Sequence, residues 1–183
     1  KGLPALRAEK FTLGLLNLGR RILTKRQQLA VTVALEHFTG IIANRLLTDT
    51  DTMNNLSDEM RPIWMWHAIE ETEHKAVAFD LYKQVPGNNY AERVVFQIFA
   101  SVILAAVVSA FQLQFMARDK QLFNLRSWAF GLNKLFGRNG ILSNLTSEYL
   151  DFFKPDFHPW DHENSALVAY WREKLEGEVA KAA

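Results

Sequence analysis

The chain has 183 residues, 49% of them apolar and 22% charged, with a formal net charge of +1. That size and composition describe one globular domain with a sizeable core rather than a disordered chain, and the balanced charge without a long basic run excludes a dedicated nucleic-acid binder. There is no cysteine, which removes disulfides, thiolate metal sites, iron–sulfur clusters and cysteine nucleophiles.

The sequence begins at Lys1 without a recognisable leader, so a fragment or processed form is expected, cytoplasmic, with membrane association left open. Helical periodicity dominates the chain, and strand-like alternation never persists. A first amphipathic helix is expected over about residues 10–24, with Leu15, Leu16, Leu18, Ile22 and Leu23 on its apolar side. A second is expected over 26–48, followed by a polar turn, Asp49-Thr50-Asp51-Thr52. Asn55 or Ser57 can cap a third helix over 58–85, with Asp58 and Glu59 near its positive end and Pro62 early enough to be tolerated. Pro86-Gly87-Asn88-Asn89 stops that helix. A long apolar helix is expected over 91–118, shorter ones over 127–135 and 141–153, then an aromatic loop with Pro155 and His158-Pro159-Trp160, and a closing helix over about 165–178. The whole reads as a single all-α domain spanning 1–183, an antiparallel bundle built on the helix pair 26–48 and 58–85.

The third helix carries the densest chemistry. Trp66-His67-Ala68-Ile69-Glu70-Glu71-Thr72-Glu73-His74 packs two histidines and three glutamates into nine residues. At about 3.6 residues per turn, His67, Glu71 and His74 fall within roughly 60° of one another, with Glu70 close beside them. Such a stripe is costly to bury without a partner, and a divalent metal is the simplest one. Glu71-x-x-His74 is the carboxylate–imidazole spacing of ferritin-like dinuclear sites. The competing reading is a solvated charged face. Glu70 could replace Glu71 as the partner of His74, and His67 could ligate, orient a ligand or line a pocket.

A second donor comes from the preceding helix. Glu36 interrupts the apolar run Val31–Gly40, and its same-face neighbours Thr32, Val33, Thr39, Gly40 and Ala43 are fairly small, Leu29 being the exception. Counted outward from the connecting loop, Glu36 and Glu71 each lie about 20 Å from the turn, so the two carboxylates are expected level. The alternative is an ion pair from another helix. His37 points about 100° away from Glu36 and is expected in the core or behind the ligands. His158 and His162 are expected to pack in the aromatic loop.

Carboxylates with few imidazoles and no sulfur suit iron, with manganese or zinc as alternatives. The chemistry open to such a site is metal-assisted hydrolysis or, for a di-iron version, dioxygen-dependent oxidation. Small residues around Glu36, with Phe38, Trp64, Trp66 and Phe79 nearby, point to a small apolar substrate.

A different reading is a non-enzymatic, membrane-associated or partner-docking helical protein. Residues 94–117 form 24 consecutive uncharged positions, enough for a ~30 Å hydrocarbon core. Gln97, Ser101, Ser109, Gln112 and Gln114 interrupt the run, and Arg93, Gln97, Ser101 and Gln112 gather on one side, as for a helix with one wetter face; a buried bundle helix would read the same way. Peripheral membrane contact through 94–117 and homo-oligomer formation are both open.

With Leu35-Glu36-His37-Phe38-Thr39, then Trp66-His67-x-x-Glu70-Glu71-x-Glu73-His74-Lys75-x-Val77-Ala78-Phe79-Asp80, and Lys154-Pro155-Asp156-Phe157-His158-Pro159 towards the end, the chain resembles the bacterial family of predicted metal-dependent hydrolases. The resemblance implies a ferritin-like bundle with a dinuclear metal site. It also implies two further upstream helices, one bearing a glutamate and one a glutamate–histidine pair, which this sequence does not contain. On that resemblance the chain corresponds to the C-terminal two-thirds of such a protein, and Glu36, Glu71 and His74 make up half of a ligand set.

Overall fold

The computed structural model describes residues 5–138 and 140–182. All regular structure among them is helical: α1 (Ala5–Ile22), α2 (Lys25–Thr48), α3 (Thr50–Asn54), α4 (Arg61–His74), α5 (Val77–Gln84), α6 (Tyr90–Arg118), α7 (Leu125–Phe136), α8 (Ile141–Asp151), a 3₁₀ turn at Pro159–Asp161, and α9 (Ser165–Ala182).

α2 is the hub. It starts with a capping box, in which the Gln27 N–H donates to Thr24 Oγ1 at 3.3 Å and the Thr24 N–H donates to Gln27 Oε1 at 3.0 Å. It touches α1, α3, α4, α5, α6, α8 and α9, and its most extensive contact is with α4. Two apolar clusters form along it. The first joins Ala43 and Leu47 to Met53, Met65, Ala68, Ile69, Val168 and Trp171, and the indole N–H of Trp171 donates to the Leu47 carbonyl at 2.7 Å. The second joins Ala30 and Val33 to Ala78, Phe79, Tyr82, Phe152 and Phe157. Arg26 clamps the start of α2 to α6: its Nε and Nη2 each donate to Glu92 at 2.8 Å, and the Tyr82 hydroxyl donates to the same carboxylate at 3.0 Å.

Three sequence expectations need correction. The helix expected over 58–85 is two helices, interrupted at Lys75 and Ala76. There the Lys75 side chain turns inward to bond the segment before α9. α4 also begins later than expected: Met60 is its N-cap and no side chain caps it, with Pro62 in the first turn. The Met60 and Arg61 N–H groups both bond to the Ser57 carbonyl in the turn that precedes it. The polar cluster after α2 is the short helix α3, and Asp49 Oδ1 accepts the Thr52 N–H.

The first third of α6 follows the buried-bundle reading rather than that of a wetter face. Arg93 and Gln97, on the supposed wetter face, are 4% and 0% exposed, whereas Val95, Ile98, Phe99 and Val102 face outward. The Arg93 guanidinium lies 5.0–5.9 Å from the ring centroids of Phe79, Tyr90, Phe152 and Phe157, and Nη2 donates to the Lys154 carbonyl at 2.6 Å. A planar cation that stacks on rings and bonds main-chain oxygens can be held inside a protein where an unpaired charge cannot.

Candidate functional site

Between the two apolar clusters, from Glu36 to Asn44 on α2, the interior becomes polar. A cavity of about 20 Å³ lies there, bordered by Glu36, His37, Asn44, Lys75, Glu148 and His162 among others, room for about one water molecule. Gly40 lets α2 approach closely at this height, since a Cβ there would sit 3.2 Å from the Lys75 Cβ.

On one side of the cavity runs a chain of hydrogen bonds. Lys75 Nζ donates to the His162 carbonyl at 2.6 Å and to Asn164 Oδ1 at 2.9 Å. Asn164 Nδ2 donates to Asn44 Oδ1 at 3.0 Å, and Asn44 Nδ2 donates to Glu148 Oε1 at 3.3 Å. The Lys75 ammonium also sits 4.2 Å from the Trp160 ring centroid. Burial lowers the Lys75 pKa, against the opposing pull of Glu163 and Glu148. His37 is buried against Phe152 and Phe157, at ring distances of 4.8 and 5.4 Å. Burial, reinforced by His162, pushes its pKa down to about 4, so it is a neutral core residue. His162 pairs with Asp151 at 3.1 Å and His158 with Asp80 at 2.8 Å.

On the other side lie the residues singled out by their spacing. Glu36 is half-buried at the edge of the α2–α4 contact. Its pKa is raised by burial first and by the negative charge of Glu71 second, with His74 acting in the opposite sense. The three groups therefore share one local field. Among the described residues, no ion pair or side-chain hydrogen bond reaches the Glu36 carboxylate, and Lys75, which borders the same cavity, is committed elsewhere. Glu70 and Glu71 are half-buried, and His67 and His74 are exposed. His67 Nε2 stands 3.7 Å from Glu71 Oε1, with its ring 6.0 Å from Trp64 and 6.4 Å from Trp66. Glu73, outside this stripe, pairs with Arg172.

Among the described residues, no three His, Cys, Asp or Glu side chains are gathered tightly enough to hold a metal ion. The donors Glu36, Glu71 and His74 suit a divalent cation in chemistry, and the unpaired, desolvated Glu36 carboxylate suits one in charge, but they are not drawn into a closed ligand shell. The cluster of Lys75, Asn164, Asn44 and Glu148 was not legible in the sequence. Its members lie on four separate segments, and no local spacing announces them.

Among the described residues, one helix, Tyr90–Arg118, is long and apolar enough to cross a membrane by length and composition. A family model described as predicted metal-dependent hydrolase matches residues 1–163, and the chain belongs to that family. Neither the curated proteins nor the solved structures yield a significant match.

Proposed function

We propose that this predicted metal-dependent hydrolase binds its divalent metal at the α2–α4 contact through Glu36, Glu71 and His74. The observation that carries the proposal is the Glu36 carboxylate: half-buried, raised in pKa by burial and by Glu71, and without a cation partner among the described residues. A metal ion relieves that repulsion by supplying the missing positive charge. Glu36 and Glu71, on two helices and close enough to interact electrostatically, would be donors to such a metal, with water or further side chains completing the coordination. The oxygen-rich set favours iron, manganese or zinc.

When bound, such a metal supplies a polarised substrate oxygen and a water of lowered pKa, which is the chemistry of hydrolysis. The chain's own residues supply the surroundings. His67, 3.7 Å from Glu71, stands beside that carboxylate as a neighbouring polar group. Glu70, one residue away, is a further donor. Exposed Leu35, Ile42, Ile63 and Trp64 provide apolar surface on the same two helices, suited to an ester or related substrate with an apolar group. Oxidation at a di-iron site would draw on the same donors; the family assignment supports hydrolysis.

Elemental analysis of the wild type and of Glu36→Ala and His74→Ala, with ester hydrolysis measured alongside, tests the proposal. Both variants should lose most of their metal and activity, because a shell missing one donor binds weakly. Unchanged metal content in both would make the stripe a structural network.

A further inference from the structure

The outward face of α6 and most of α7 present exposed apolar surface, covered only in part among the described residues, by Phe11 of α1 against Phe111 and by α8 against α7. Arg93 and Gln97 anchor the first third of α6 in the core, while Val95, Ile98, Val102 and Val108 are all more than half exposed. α7 has no buried residue. Its Leu125, Trp128, Leu132, Leu135 and Phe136 fall within an arc of about 100°. Leu125 and Phe136 are 81% and 62% exposed, and Phe123 just before the helix is 92% exposed.

This element is well built. Asn124 caps α7 by accepting the N–H groups of Arg126 and Ser127, and the Trp128 indole N–H donates to the Leu122 carbonyl at 2.8 Å. The end of α6 is closed by a Schellman motif, with the Gln121 N–H on the Met116 carbonyl at 2.7 Å and the Lys120 N–H on the Ala117 carbonyl at 3.2 Å. That motif holds Lys120 at φ 58°, a conformation glycine adopts at lower cost.

The charge around this surface is one-sided. Residues 94–147 contain five basic side chains and a single carboxylate, Asp119. Lys120, Arg126, Lys134 and Arg138 are all exposed. An amphipathic helix with aromatic and leucine side chains on one face and lysine and arginine on the other fits the boundary between acyl chains and anionic headgroups.

We propose that α7, with the outward face of distal α6, docks on an anionic lipid surface, α7 lying in the plane of the interface. α6 does not cross the bilayer in this arrangement. The part beyond Ala100 is about 27 Å long, and the part before it belongs to the core. The proposal is independent of metal binding and of hydrolysis.

Flotation with vesicles of equal parts phosphatidylcholine and phosphatidylglycerol, against pure phosphatidylcholine, tests it at low and high salt. The protein should float with the anionic vesicles only, and less at high salt. Arg126→Ser with Lys134→Ser should weaken binding roughly fivefold per cation removed, and Leu132→Glu with Phe136→Glu should abolish it. Lys120→Gly guards against loss through misfolding, because it should raise the melting temperature while lowering vesicle affinity. Absence of flotation, or flotation unchanged by the Leu132→Glu, Phe136→Glu pair, overturns the proposal. So does a change of sedimentation from dimer to monomer in that pair without any change in vesicle binding, which would make the face a contact between copies.

Discussion

Lys75 Nζ donates a 2.6 Å hydrogen bond to the main-chain oxygen of His162, 87 residues away in sequence. The bond joins the end of α4 to the segment that leads into α9, at the height where the interior turns polar and Glu36 enters the site. Lys75 thus fixes a wall of the cavity that Glu36 borders, without belonging to the donor stripe.

Replacing Lys75 by methionine keeps the volume and removes a desolvated charge, but it strands the His162 carbonyl and Asn164 Oδ1. Unpaired buried acceptors cost about 1–3 kcal/mol, so the melting temperature of Lys75→Met should fall by several degrees. An unchanged melting temperature would mean that water satisfies both acceptors.

Arg93→Met should be more damaging. It removes the stacking on Phe79, Phe152 and Phe157 and leaves the Lys154 and Phe157 carbonyls without their donor. A loss of about 2–4 kcal/mol is expected from chemical denaturation. A substitution without effect would show that the inward polarity of α6 contributes nothing to its placement.

The Arg26–Glu92–Tyr82 cluster links stability to acid. Hydrogen bonds from Arg26, and then from Tyr82, hold the Glu92 carboxyl below the usual carboxylate range. A pKa depressed in the folded state adds stability above the unfolded value, about 4.3, and that stability is lost as pH falls through the lower folded value. Glu92→Gln should therefore be less stable than wild type at neutral pH, and the difference should vanish in strong acid. Tyr82→Phe should cost about 1 kcal/mol. A pH-independent difference for Glu92→Gln would contradict the linkage.

Glu36→Gln separates folding from metal binding. Removing a half-buried charge that is repelled by Glu71 should leave the metal-free protein as stable as wild type or slightly more so. Added manganese or zinc should raise the wild-type melting temperature, because a ligand bound only by the native state stabilises it, and should not raise that of the variant. Equal shifts in both proteins would place the metal elsewhere.

The sequence by itself determined the helical class, most helix positions and the residues of the stripe, because these follow from local periodicity and from motifs held on one turn or two. The second helix was legible nearly to the residue, expected over 26–48 and found as Lys25–Thr48. The family, too, is carried by contiguous residues. Only the tertiary structure decided which face of each helix turns inward. The periodicity of α6 reveals two faces, but Arg93 becomes the inner one because aromatic rings and carbonyls from residues 79 and 152–157 meet it there. The break at Lys75 has the same origin, as its reason lies at His162 and Asn164. Local chemistry sets where a helix forms; partners distant in sequence set what it buries.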